Sequence, residues 1–589
     1  MRRNAQATGR EEETARMETP LKGTTQTTFD AKAFERQFTS AREMAAVLTD
    51  EEPPPADLEG TFFKNFPALF EVGNEPCLHP FDADGMVAAV YFQNGTAPRF
   101  RSRYVKTVEF EQEQNRTQRL FNNVFGTLRA GPWWCRLFDT ELKNVANTNV
   151  MFLNGKLFSL WEAGSAYELD PCSLDTFGWA SFKRRLEFEA PMSAHPKYDR
   201  FTGRLVTFSA EQKSAFKTSL RMLEVADDEA IVAEETIEAG RLVFAHDFAV
   251  TENNYVFLVS PIKLDPLPFL LGQKAIGQCL SMDKSTPTEA WVIKRAPPTM
   301  DGPGGRGRGE TRKADEAVLK IPLDNFFAFH IANAFEDGKG GIVMDIVRMD
   351  SFDVMEPAVG GSGEPRPVWE DVDWQKAPRS TLWRYTFSGN KSWKKEPLEA
   401  ERNGDLPTIN PQFSGSEHRY IYHVVQRDEG GNGPGQALQK TDTFSGQKQR
   451  WIPEPDEFIG EAVYAPRKDL RADEDKRRQM RLSSDAAEDD GYLLAYLFRG
   501  PEGKPLETEL LLFEAADIPK GPIRRWRLPG HLPQGLHGQF YPGLTWPERR
   551  LQNPDKFSFI GQQLYYRDSD NDMGDLRSGS TYDPLSFMR

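Results

Sequence analysis

The chain has 589 residues, 39% of them hydrophobic and 27% charged, which is a globular rather than a disordered balance. Asp and Glu outnumber Lys and Arg by 88 to 73, and the formal net charge of -15 repels phosphate backbones. With no recognition motif for nucleic acid either, that class of partner is excluded.

Residues 1–50 are polar and are expected to be flexible, with a short helix over 34–45. The opening MRRNAQATGREEETARMETP carries two arginines but no apolar core, so it is read as neither a secretory signal nor a transit segment. No apolar run approaches the roughly 18 residues of a membrane span. Cys77, Cys135, Cys172 and Cys279 are widely spaced and form no CxxC pair, as expected of reduced thiols. A cytosolic protein is expected, with peripheral membrane contact left open.

From Gly60 onward, short runs rich in Val, Ile, Leu, Phe and Tyr recur between turn residues: 87–92, 242–250, 255–261, 291–294, 341–347, 420–425, 493–498 and 508–513. Long stretches with helical apolar period are scarce. The pattern implies a large all-β body. A β-propeller satisfies it, because radial sheets leave only short protected edges and bring distant residues to one axis. A string of β-sandwiches satisfies it as well. Segments 296–315, 427–436 and 468–490 have the composition of surface insertions. The expected organisation is a flexible 1–50, a body over 51–545 and a C-terminal extension over 546–589.

Only eight histidines occur, at 79, 195, 246, 330, 418, 423, 531 and 537. His246 falls inside the strand-like LVFAHDFAV, His330 follows NFFAF, His195 precedes a proline, and His537 has glycines on both sides. A histidine buried in a strand needs partners for both ring nitrogens, a need that metal ligation meets and that a satisfied core histidine meets equally. Their separations exclude HExxH and zinc-finger spacing but suit ligands from different propeller blades. Imidazole suits Fe, Zn, Cu and Ni, so composition leaves the metal open.

Nine stretches in order (EGTFFKNFPALFE, HPFDADGMV, ELKNVANTNV, LFSLWEAGSAYELDP, SAHPKYDRFTG, FAHDFAVTENNYVF, LGQKAIGQCL, FAFHIANAFEDG and LPQGLHGQF) resemble the carotenoid cleavage oxygenase family. The resemblance implies a seven-bladed propeller with a small helical and loop cap over an axial non-haem iron, Fe(2+), held by four histidines. Matched motif by motif, these are His195, His246, His330 and His537. It also implies carboxylates accepting the other ring nitrogen of three of them: Glu162, Glu461, and Asp405 where the family pattern has a glutamate in a GEFP stretch. One methylene fewer shortens the reach by about 1.5 Å, so the backbone must come closer, a water must bridge, or that histidine is held less firmly.

The implied reaction is cleavage of a conjugated carbon–carbon double bond by O2 into two carbonyl products. Likeness to the apocarotenoid-cleaving subgroup favours a polyene substrate. The alternative is a phenolic alkene, a stilbene or propenyl phenol, gripped by Tyr104 and Lys143, with Phe329 a further substrate contact. Phe121, Phe125, Trp133, Trp134, Phe269 and Leu270 are expected to form an apolar entrance patch suited to a membrane surface. A non-catalytic interaction platform is the remaining reading, since fold does not fix function.

Overall fold

The computed structural model describes residues 29–546, apart from 184–185, 188–189, 215, 296–310, 353–357, 360–364 and 469–486. Strands dominate the described residues, and helices are short, Val108–Arg116 being the longest. The turn chemistry is local and explicit. Asn154 and Gly155, both at positive φ (52° and 78°), join Asn149–Leu153 to Lys156–Leu160 by a two-residue turn whose twist matches that of the strands.

Seven sheets of four or five strands form the blades of a propeller. The innermost strands, for blades 1 to 7, are Gly538–Pro542, Asn149–Leu153, Lys197–Asp199, Ala249–Val250, Ile331–Glu336, Gly404–Thr408 and Val463–Pro466. Most neighbours among them touch around the axis. Blade 1 is composite: Gly538–Pro542, from the far end of the described chain, pairs antiparallel with Gly60–Leu69, placing Lys64 opposite Gly538. That pairing closes the ring by joining the two ends of the described chain in one blade.

Each junction between blades holds its own apolar cluster. Phe63, Val87, Val150 and Leu157 fill the junction of blades 1 and 2. Phe208, Phe248, Phe257 and Trp291 fill that of blades 3 and 4. Phe62, Phe66, Tyr496 and Trp526 seal blade 7 against blade 1. Equivalent clusters occupy the other four junctions. Both faces of a blade are therefore buried, and Asp84–Phe92 is buried at every position.

Several expectations are corrected. The run 242–250 is a strand only at Ala249–Val250. Ahead of it, Val243 N–H is taken by Thr218 Oγ1 and Phe248 N–H by the carboxylate of its own neighbour Asp247, side-chain partners that replace a ladder and free the backbone to turn at His246. The helix expected at 34–45 is instead Ala31–Glu35, capped by the Asp30 side chain, and Met44–Val47 is an edge strand on Arg99–Tyr104. Residues 29–50 are thus docked on the propeller, while 1–28 lie outside the described residues. So do most of the insertions at 296–315 and 468–490 and all of the C-terminal extension after Trp546. None of the four cysteines is in a disulfide among the described residues, Cys135 being exposed and the others buried. No helix among the described residues is long and apolar enough to cross a membrane.

Candidate metal centre

The seven blades each send one residue to the same place on the axis. His537 precedes the inner strand of blade 1, His195 that of blade 3, His246 that of blade 4 and His330 that of blade 5. Glu162 follows Lys156–Leu160 in blade 2, Asp405 lies in the inner strand of blade 6, and Glu461 sits just before the inner strand of blade 7. Histidines far apart in sequence therefore meet because the inner strands of a propeller begin around one axis.

One ring nitrogen from each of the four histidines lies within 4.8 Å of the others. His195 Nε2 is 2.9 Å from His246 Nε2, and His330 Nε2 is 3.1 Å from His537 Nε2. Adjacent ligands at a shared ion with bonds of about 2.1 Å stand about 3.0 Å apart, so these contacts suit one metal. The opposite ring nitrogens face carboxylates. His246 Nδ1 is 2.8 Å from Glu162 Oε1, His330 Nδ1 is 2.7 Å from Asp405 Oδ1, and His537 Nδ1 is 2.8 Å from Glu461 Oε1. A carboxylate there fixes the proton on Nδ1 and aims the Nε2 lone pair at the centre. Buried neutral imidazoles with converging lone pairs are a donor set that fits a divalent first-row ion.

Electrostatics favour a neutral ring at His195 and His537. Burial, reinforced by the three neighbouring rings, holds His195 well below the ordinary histidine pKa. Burial also lowers His537, more than Glu461 raises it. For His330, burial is the largest single influence and works downward, but the Asp405 charge and hydrogen bond together with the Asp247 and Glu461 charges leave the group raised. Glu461 is pushed up by burial, but Lys64 and His537 prevail and hold it at about 2.

The shorter Asp405 side chain reaches its histidine directly. Its strand carries a bulge: Asp405 pairs with Val424 but the next paired residue is Thr408, opposite Tyr422, and Leu406 sits at φ 58°. The bulge bends the strand locally, and Leu406 N–H donates back to Asp405 Oδ1 at 2.8 Å. Gly404 permits it, since a Cβ there would stand 2.6 Å from Val424 O. Asp405 thus reaches His330 directly at 2.7 Å, from a bulged strand.

Two different faces flank the four rings. On one, Asn149, Lys197, Asp247 and Gln539 line a polar cavity of about 150 Å³ together with His195, His330 and His537. On the other, Phe329 packs edge-on against His246 with ring centroids 5.3 Å apart. It belongs to an aromatic cluster with Phe244, Phe327 and Phe352, which continues through Leu280 and Met282.

The remaining expected residues divide. Trp133 and Trp134 are 50% and 60% exposed, and Phe138 and Leu267 beside them 73% and 63%. Their two segments are stitched together by Phe138 N–H to Leu270 O and by Arg136 to Gly272 O, so this is one patch. Phe121 and Phe269 are buried beneath it rather than part of it, Leu270 is half-buried, and Phe125 stacks on His79. Tyr104 and Lys143 are not free to hold a phenol. Tyr104 Oη lies 2.7 Å from Ala41 O and 3.0 Å from Ala68 O, and the Lys143 ammonium is buried between Asp84 (2.6 Å) and Glu113 (2.7 Å). His79, His418, His423 and His531 stay away from the four-histidine cluster. Sequence reasoning missed Lys64, whose ammonium reaches Glu461; the available signal was a lysine inside the apolar strand run GTFFKNFPAL.

Comparison with known proteins gives concordant results. Residues 53–542 match the family described as RPE65, retinal pigment epithelial membrane protein. The apocarotenoid-15,15'-oxygenase of Synechocystis is 32% identical over 492 residues, covering 82% of this chain and 91% of that protein. Isoeugenol monooxygenase of Pseudomonas putida is 27% identical over 496 residues, covering 82% and 92%. Among solved structures, cobalt-substituted Synechocystis apocarotenoid oxygenase superposes with a TM-score of 0.76 at 30% identity, covering 88% of this chain and all of that one.

Proposed function

Because the chain belongs to the RPE65/carotenoid cleavage oxygenase family, whose members are non-haem iron oxygenases, we propose that it cleaves a conjugated carbon–carbon double bond of an apocarotenoid with O2, giving two carbonyl products. One observation carries the reading: four imidazoles, two buried and two largely so, converge on one point while three carboxylates hold the opposite nitrogens of His246, His330 and His537.

His195, His246, His330 and His537 would hold Fe(2+), and the ion, when bound, would supply the activation that lets triplet O2 react with a singlet alkene. Glu162, Asp405 and Glu461 keep the Nδ1 protons in place, so the rings stay neutral and correctly turned through the reaction. Phe329 and the neighbouring Phe244, Phe327 and Phe352 exclude water from one side and offer faces and edges against which a planar polyene lies flat. Trp133, Trp134, Phe138 and Leu267 form a docking patch for a membrane surface, from which a sparingly soluble polyene is drawn.

The apocarotenoid is favoured over a phenolic alkene because Tyr104 and Lys143 are committed to other partners. An interaction platform alone gives no reason for three carboxylates to orient three converging imidazoles. The test is anaerobic reconstitution with Fe(2+), then O2 with parallel panels of apocarotenals and hydroxystilbenes, and product masses as readout. Paired carbonyl fragments from apocarotenals support the proposal. Fragments from hydroxystilbenes alone replace the substrate, and no scission at full iron occupancy refutes the activity.

A further inference from the structure

Glu461 differs from the other two carboxylates of the centre. Glu162 and Asp405 face their histidines with no cation beside them among the described residues. Glu461 Oε2 accepts from Lys64 Nζ at 2.9 Å and from Gly538 N–H at 2.9 Å, which leaves Oε1 for His537. The lysine side chain is 0% exposed, and its ammonium also donates to Leu536 O at 2.8 Å.

The surroundings are shaped to this side chain. A Cβ on Gly535 would stand 2.7 Å from the Phe66 ring and 3.0 Å from Lys64 Cε, and one on Gly538 would stand 2.5 Å from Phe63 O and 3.0 Å from Lys64 Cβ. The glycines flanking the ligand in GLHG therefore let the stretch 63–66, with its lysine stem, lie close against the His537 segment. The backbone holds the same segment: Asn65 N–H donates to His537 O, and Leu536 N–H to Asn65 O. Strand Gly60–Leu69 thus grips the His537 segment through its main chain and through one buried ammonium.

Charge supplies a second argument. Three carboxylates around a divalent ion leave the buried centre one unit negative, and a buried net charge is costly. Lys64 cancels it. The other nearby cation, Lys197, is already matched by Asp247 at 2.7 Å.

We propose that Lys64 is a positioning residue of the metal centre, locking the Glu461 carboxylate so that His537 is held in its ligating orientation and the loaded centre is electrically neutral. This rests on the metal reading above. The positioning acts through Glu461, so loss of the ammonium loosens one ligand of four and leaves the His195, His246 and His330 rings in place.

The test uses the full-length protein loaded with Co(2+). Affinity is read by competition with a chelator, and ligand geometry by the visible absorption of the cobalt protein. Lys64→Met is expected to weaken binding ten- to a hundredfold and to change the cobalt spectrum. The double variant Lys64→Met/Glu461→Gln is expected to bind no more weakly than Glu461→Gln alone, because the lysine works only through that carboxylate. If Lys64→Met does not fold, the double variant, which buries no lone charge, is judged against Glu461→Gln by the same criterion. A folded Lys64→Met with wild-type affinity and spectrum overturns the proposal, as does a further tenfold loss in the double variant. Failure of the wild-type protein to bind Co(2+) at all overturns the metal reading itself, a result distinct from either.

Discussion

Replacing Asp405 by glutamate restores the residue type of the family pattern, and the geometry predicts that it harms the site. The carboxylate already stands 2.7 Å from His330 Nδ1, on a strand that is bulged at this position. An added methylene carries the carboxylate about 1.5 Å farther, into the imidazole. Relief requires either turning the side chain away, which also leaves Leu406 N–H without its 2.8 Å acceptor, or pushing the bulge back against Val424. Losing an orienting carboxylate lowers metal affinity ten- to a hundredfold, about 1.4–2.8 kcal/mol. Asp405→Asn keeps shape and acceptor but drops the charge, and is expected to cost about 1 kcal/mol. The assay is chelator competition with Co(2+) on wild type and both variants, with thermal melting as a folding control. Asp405→Glu binding as tightly as wild type, or more tightly than Asp405→Asn, refutes the reasoning.

Other consequences are as direct. Lys143→Met leaves Asp84 and Glu113 facing each other in a buried setting and is expected to cost about 3–5 kcal/mol of stability; a well-folded variant with a raised KM and unchanged melting temperature returns Lys143 to substrate binding. Trp133→Ser/Trp134→Ser removes about 100 Å² of exposed apolar surface per residue, ~2.5 kcal/mol each, so partition to lipid vesicles is expected to fall more than tenfold in a sedimentation assay while the melting temperature holds; undiminished binding refutes the patch. His79 caps Pro80–Asp82 through Nδ1, and burial lowers its pKa to about 3. The unfolded chain then binds more protons, so the stability contributed by its neutral ring is complete above about pH 6.5 and declines toward pH 3, by ~2 kcal/mol at pH 5. His79→Asn retains a capping acceptor, and denaturant titrations are expected to show its deficit against wild type shrinking by that amount between pH 7.5 and 5. A pH-independent deficit contradicts the assignment.

What was legible in the sequence was what depends on motif and on local chemistry. His246 and His330 stood out as polar rings in apolar runs, and ring closure explains why they meet His195 and His537. Strand composition marked most blades, because valine, isoleucine and aromatic residues suit a surface buried on both faces. It failed at 242–248, where Thr218 and Asp247 side chains replace ladder partners that composition cannot reveal. For Tyr104 and Lys143, the partners were illegible for a related reason. Their hydroxyl and ammonium are consumed by groups distant in the chain, Ala41 and Ala68 for one, Asp84 and Glu113 for the other. The apolar patch was half legible: hydrophobicity located both segments but not which side chains face outward, so Phe121 and Phe269 lie beneath Trp133 and Trp134. Lys64 escaped notice because its partner is almost four hundred residues away, |i−j| being 397.

The most direct measurement is iron stoichiometry together with X-ray absorption at the iron edge on protein reconstituted anaerobically with Fe(2+). One ion per chain in a coordination sphere fitted by four imidazole nitrogens is the predicted result, with at least a tenfold loss of occupancy in His330→Ala under chelator challenge. Iron below a tenth of an equivalent, or bound iron that His330→Ala leaves unchanged, contradicts the account.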